Sequence, residues 1–201
     1  MVEQIIILFL ISYLVGSLPT GYWFCRFFYN IDITSRGSGN IGATNVSRVL
    51  GGVKYFFLIF LIDAAKAYFM LHSAHQVMFY YYPHINIKNY LILFAAGILA
   101  GNAYSIFLRL KGGKGIATMI GIVSYLIPFP LLIMFVVNWV LFLVISRQVF
   151  IASLGATYLL TIVYGLMAYT PSNMIFFFLL TLCFWLTLRH HNNIVKFFHR
   201  R

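Results

Sequence analysis

The amino-acid sequence predicts an all-α integral membrane protein, a bundle of seven transmembrane helices with the N-terminus outside and the C-terminus cytoplasmic. Three observations predict it. Of 201 residues, 62% are hydrophobic and only 8% are charged, whereas a soluble domain carries roughly 25% charged residues. The mean hydropathy is +0.92, so most of the chain needs lipid as its solvent. The apolar residues also fall in runs of about the length that crosses a bilayer, roughly 20 residues, and the cations lie mostly between those runs.

Each element can be justified in turn. The first run covers about 4–28, and its start, MVEQIIILFLISYL, lacks the positive n-region of a signal peptide; it reads as a retained first span. The next runs lie at about 53–72 and 89–108. A fourth, about 116–146, is too long for one ordinary span and contains Pro128-Phe129-Pro130. Each proline lacks an amide donor and crowds the preceding turn, so the run is one kinked span or two shorter ones. The last runs lie at about 149–169 and 173–189, with a short break near Pro171. Polar segments 29–52, 73–88 and 109–115 separate the earlier spans, and a tail follows Arg189. The whole of 1–201 reads as a single transmembrane domain.

Charge placement decides the fourth run. With the N-terminus outside and a hairpin at Pro128–Pro130, every Lys and Arg except Lys66 and Lys88 falls on the cytoplasmic side. One long span would instead put Arg147 and the basic tail outside, against the positive-inside rule. Residues 116–127 then measure only about 18 Å at 1.5 Å per residue. They read as a tilted or re-entrant half-helix buried against its neighbours.

The net charge of +11, with only three carboxylates, points to a face that meets anionic lipid or an anionic substrate. Nucleic acid is a poor partner, because the cations are scattered between spans and form no basic domain. Cys25 and Cys183 lie far apart in apolar stretches and form no disulfide framework. No metal site is expected: adjacent His190 and His191 face different ways on a helix, and no carboxylate or thiolate clusters with them. His72, His75 and His84 are expected in an outer loop as ordinary interfacial polarity.

Three cytoplasmic segments carry chemistry. The first reads Ser35-Arg36-Gly37-Ser38-Gly39-Asn40-Ile41-Gly42-Ala43-Thr44-Asn45-Val46-Ser47-Arg48. Its glycines let backbone amides converge on an anion, and arginine offers a bidentate fork for phosphate; an interfacial turn with tight packing is the structural alternative. The second reads Arg109-Leu110-Lys111-Gly112-Gly113-Lys114-Gly115 and runs into apolar Ile116. A glycine loop opening a helix offers unpaired amides and the positive dipole end, and here too a basic turn is the alternative. The tail carries Arg189-His190-His191-Asn192-Asn193-Ile194-Val195-Lys196, and histidine can exchange protons near neutral pH. Inside the second span, Asp63 and Lys66 stand three residues apart on one helix face. They are either a self-neutralising pair or part of an ion or substrate path.

Together these strings closely resemble the bacterial acyl-phosphate:glycerol-3-phosphate acyltransferase family (PlsY type). The family's first motif is matched by Gly37-Ser38-Gly39-Asn40-Ile41-Gly42-Ala43-Thr44-Asn45-Val46-x-Arg48, its second by Lys111-Gly112-Gly113-Lys114-Gly115-Ile116-Ala117-Thr118, and the start of its third by Arg189-His190-x-x-Asn193-Ile194-x-Lys196. Gly16-Ser17-Leu18-Pro19-Thr20-Gly21-Tyr22 and Asp32-Ile33 also match family positions. Departures are Asn102 and Ser105, where the family usually carries histidine and proline, and Ala67, where it carries glycine. The third motif departs too: Arg200 stands at its glycine, and Arg201 precedes the position of its glutamate.

The resemblance implies transfer of a fatty acyl group from acyl phosphate to the sn-1 hydroxyl of glycerol 3-phosphate, giving lysophosphatidic acid and phosphate. It implies no cofactor, a multi-pass location in the bacterial inner membrane, and an active site facing the cytoplasm. Acyl phosphate, glycerol 3-phosphate and membrane lipid are the implied partners, and a monomer is compatible with these features. Carried over residue by residue, it implies catalytic roles for His190, Asn193 and Ser38. It implies substrate or phosphate contacts from Arg36, Gly39, Asn40, Thr44, Asn45, Arg48, Lys111, Gly112, Gly113 and Lys114; Asp63 and Lys66 are added from their place inside a span. The alternatives are a membrane phosphate-ester binding protein or transporter, or a diverged paralogue with reduced activity.

Overall fold

The computed structural model describes residues 1–168 and 173–199, and it is helical throughout with no strand among them. Pro171, Arg200 and Arg201, which bear on the expected final turn and tail motif, lie outside the described residues. The chain falls into two compact units, the first Met1–Tyr125 and the second beginning at Leu126. The first unit holds α1 (Val2–Ser17), α2 (Thr20–Tyr29), α3 (Ala43–Leu50), α4 (Val53–Tyr81), α5 (Ile87–Ala103) and nearly all of α6 (Ile116–Leu126). The second holds α7 (Phe129–Ser146), α8 (Val149–Ala168), α9 (Met174–Arg189) and α10 (His191–Phe198).

Four helices are long and apolar enough to cross a membrane by themselves, and up to six crossings result if each bent pair counts as one. The bent pairs are α1 with α2, at 43°, and α9 with α10, at 57°. The 11 residues of α6 span only about 16 Å, in keeping with the half-helix expected there. The break at Pro128 is present as well. Pro130 stands in the first turn of α7, where its missing amide has no intrahelical partner to lose.

The run 4–28 is bent by 43° into α1 and α2, because Pro19 has no amide with which to carry the helical ladder past Leu18. One expectation needs correction. The segment 73–88 is not wholly an outer loop: α4 continues to Tyr81. Leu71, Ala74 and Met78 keep one face of that extension buried, so burial outweighs the polarity of the intervening residues. His72 and His75 are therefore helical, and His75 Nδ1 lies 2.5 Å from the Tyr125 hydroxyl on α6.

The core of the first unit is built on close backbone approach. A methyl group added at Gly16 of α1 would run into the Ile98 carbonyl of α5, and one at Gly101 of α5 into the Tyr13 carbonyl of α1. Small residues at such crossings are the membrane solution to helix association, where apolar burial offers little advantage over lipid. Below this pair, Cys25, Ile33, Ile41, Ala43, Val46 and Ile59 form a buried cluster. It fastens α2, the first glycine loop and α3 onto α4.

Candidate functional site: two glycine loops on one unit

The first loop is held from within by one side chain. Asn45, on α3 and only 2% exposed, donates through Nδ2 to the carbonyls of Arg36 at 3.0 Å and Asn40 at 2.8 Å, while its Oδ1 accepts from the Ser38 amide at 2.8 Å. Both amide hydrogens are thereby committed to the loop. Gly37 and Gly39 take φ values of 57° and 70°, a region that side-chain-bearing residues seldom adopt. Asn40 Oδ1 accepts from the Gly42 amide at 2.9 Å. The result is a closed turn with Arg36, Ser38 and Arg48 exposed and Gly39, Asn40 and Thr44 partly so.

Asp32 anchors the approach to this turn. Its Oδ1 accepts from the Thr34 amide at 2.9 Å and from the Thr34 hydroxyl at 2.6 Å. The hydroxyl, and after it the amide, hold the Asp32 carboxyl below its ordinary value, since both bonds favour the ionised form.

The second loop is pressed against the end of α5. The Gly113 amide donates to the Asn102 carbonyl at 2.9 Å, and a methyl at Gly112 would run into the carbonyls of Asn102 and Ala103. No residue larger than glycine fits there without moving the loop. Gly115, at φ 87°, leads directly into α6. Lys111 is exposed and Lys114 half-buried. Asn102 is 7% exposed, and its buried Oδ1 has no hydrogen-bond partner among the described residues.

Asp63 and Lys66 pair at 2.7 Å inside α4, and neither is isolated. Thr20 donates to Asp63 Oδ1 at 2.8 Å, and Lys66 Nζ donates to the Leu18 carbonyl at 2.7 Å. The Ser105 hydroxyl donates to the neighbouring Ser17 carbonyl at 2.6 Å. In the sequence Thr20 and the Ser17 and Leu18 carbonyls stand out only as part of a matched family string, and Ser105 only as a departure from the family's proline; none is singled out there as a site residue. The signal that could have found them is Pro19 inside an apolar run, because a break in lipid leaves carbonyls that must find donors.

In the second unit, His190 closes α9 and is 3% exposed. Its Nδ1 lies 2.9 Å from the Leu186 carbonyl, and its ring stacks near Phe150 at 6.5 Å between centroids. The carbonyl can only accept, so Nδ1 carries a proton. Asn193 lies one turn further on in α10 and is half-buried. Among the described residues, no three His, Cys, Asp or Glu side chains come together as a metal site.

Two cationic glycine loops on one unit of a helical membrane protein offer backbone amides and positive charge to an anion such as a phosphate ester. Similarity to known proteins narrows this. The family described as "Glycerol-3-phosphate acyltransferase" matches residues 6–200, and the chain belongs to that family. A glycerol-3-phosphate acyltransferase of Endomicrobium trichonymphae is 34% identical over 97% of this chain and 92% of its own. One from Bartonella quintana is 33% identical over 94% and 86%. Among solved structures, PlsY (YgiH), described as an integral membrane glycerol 3-phosphate acyltransferase, matches in its glycerol 3-phosphate form with TM-score 0.84 and 28% identity, covering 98% of this chain and 93% of the other.

Proposed function

We propose that the protein transfers a fatty acyl group from acyl phosphate to the sn-1 hydroxyl of glycerol 3-phosphate. The observation that carries the reading is the pair of glycine loops, each bearing cations, within one unit of a chain from this enzyme family. Both substrates present phosphate, and one brings a hydrocarbon tail suited to an apolar bundle. Acyl phosphate is a mixed anhydride and already activated, so positioning and charge neutralisation carry most of the work. The glycerol oxygen attacks the acyl carbon, the carbon–oxygen bond to phosphate breaks, and the hydroxyl proton leaves on phosphate or through His190.

Arg36, Arg48, Lys111 and Lys114 are assigned to phosphate, with Ser38 and the amides around Gly39, Gly112 and Gly113 supplying directed donors. Asn40 and Thr44 border the same turn. Asn45 shapes the loop, since its donors are already used. His190 and Asn193 are assigned to orienting the acceptor hydroxyl. Seven crossings, an outside N-terminus and a cytoplasmic site in the bacterial inner membrane are the topology that the distribution of Lys and Arg supports.

Purified protein given palmitoyl phosphate and glycerol 3-phosphate should release phosphate and form lysophosphatidate in equal amounts. Saturable glycerol 3-phosphate uptake by vesicles with no acylated product would defeat this reading and favour transport.

A further inference from the structure

We infer that the break between α1 and α2 is a strut that registers the two glycine loops against each other, with the Asp63–Lys66 pair as its lock. The inference rests on the acyltransferase reading for its substrate. Five consecutive residues carry it. The Ser17 carbonyl accepts from Ser105, and the Leu18 carbonyl accepts from Lys66. Pro19 makes the break. Thr20 donates to Asp63, and Gly21 lies so close to the Ile41 carbonyl that a methyl group there would collide with it.

These ties lead to both loops. Ile41 directly follows Asn40, whose carbonyl Asn45 binds in the first loop. Ser105 stands one short turn, Ile106–Leu108, before the second loop, and its own carbonyl accepts from the Leu110 amide inside that loop at 2.8 Å. Residues 17–21 are thus fastened to one glycine loop at Gly21 and to the other at Ser17, with Asp63 and Lys66 fixing the centre. Lys66 is a poor phosphate ligand in this arrangement, because a carboxylate at 2.7 Å already balances its charge. Thr20, Asp63, Lys66 and Ser105 are positioning residues: they hold the loops at one separation without touching substrate.

A direct-ligand role and a positioning role predict opposite results for Asp63→Asn. If Lys66 binds phosphate, removing its counter-charge leaves the KM for glycerol 3-phosphate unchanged or lowers it. If the pair is a lock, Asp63→Asn, Thr20→Val and Ser105→Ala each raise that KM about five-fold or more, the loss expected for one hydrogen bond, and Thr20→Ser restores it to within about two-fold. The measurement uses the purified full-length protein, with palmitoyl phosphate saturating and glycerol 3-phosphate titrated. A loss of active fraction at unchanged KM in Thr20→Val and Ser105→Ala would overturn the inference, as would an unchanged KM in Asp63→Asn. If the wild type transfers no acyl group, the acyltransferase reading fails by itself. Calorimetry with inorganic phosphate on the same variants then decides the strut: weakened binding supports it, and unchanged binding overturns it.

Discussion

Lys66 Nζ and the Leu18 carbonyl oxygen stand 2.7 Å apart, joining the middle of α4 to the break that ends α1. The lysine also pairs with Asp63, and each side chain is only 10% exposed. Removing one partner of such a pair strands a charge away from water, at a cost of about 3–5 kcal/mol, whereas removing both is often far milder. Lys66→Met should therefore lower the thermal midpoint in detergent sharply. The double variant Asp63→Asn/Lys66→Met should recover much of the loss, and a double variant no more stable than the single one would contradict this account.

Asn45 makes three hydrogen bonds within the first loop. Asn45→Ala removes them all, each worth about 1 kcal/mol net, and should raise the KM for glycerol 3-phosphate about ten-fold or more. Asn45→Asp should be no better, because a carboxylate cannot donate to the Arg36 and Asn40 carbonyls. Steady-state kinetics on both variants checks this.

Arg48 and His190 carry the clearest chemical assignments. Arg48→Ala and His190→Ala should each reduce turnover about ten-fold or more, within the range of a lost charge clamp or proton-handling group. Initial rates of phosphate release measure the effect, and full turnover in both variants would remove the assignments.

At Gly101 the constraint is space. Gly101→Val would push a branched side chain into the Tyr13 carbonyl of α1, and overpacking of this kind costs about 1–3 kcal/mol. The expected result is a lower thermal midpoint in detergent, with the surviving protein keeping its KM for acyl phosphate.

Asp32 supplies a pH dependence whose sign is fixed. Its carboxyl titrates below the ordinary value of 3.8 because Thr34 donates two bonds to it. Its contribution to loop stability is present above that value and is lost as pH falls through the folded-state value. Asp32→Asn should therefore weaken amide-exchange protection at residues 33–36 near neutral pH, while the difference from wild type vanishes in strong acid.

Much of this architecture was legible in the sequence because lipid imposes a simple rule on composition. Hydropathy located the helices, the two prolines at 128 and 130 located the α6–α7 break, and Gly115-Ile116 located the start of α6. The break at Pro19 was concealed because the residues on both sides of it stay apolar. The last turns of α4 were concealed for the opposite reason, since His72, His75 and Gln76 interrupt the hydropathy of a helix whose other face is buried. The two glycine loops were readable as loops, but the commitment of Asn45 to its own turn was not. Three-dimensional partners decide that, and composition does not name them. Asp63 and Lys66 were visible as neighbours on one face, yet Thr20 and Leu18 lie more than forty residues away in the chain.

The bend at Pro19 is also difficult to lose by mutation. Replacing the proline would restore one amide, but a straight helix would draw the Ser17 and Leu18 carbonyls into its own ladder. Ser105 would then lose its acceptor, and Lys66 would keep Asp63 alone. Any lineage carrying this corner thus inherits a barrier on both sides of the change: the first substitution harms the protein unless others accompany it. The corner is entrenched by the helices that answered it.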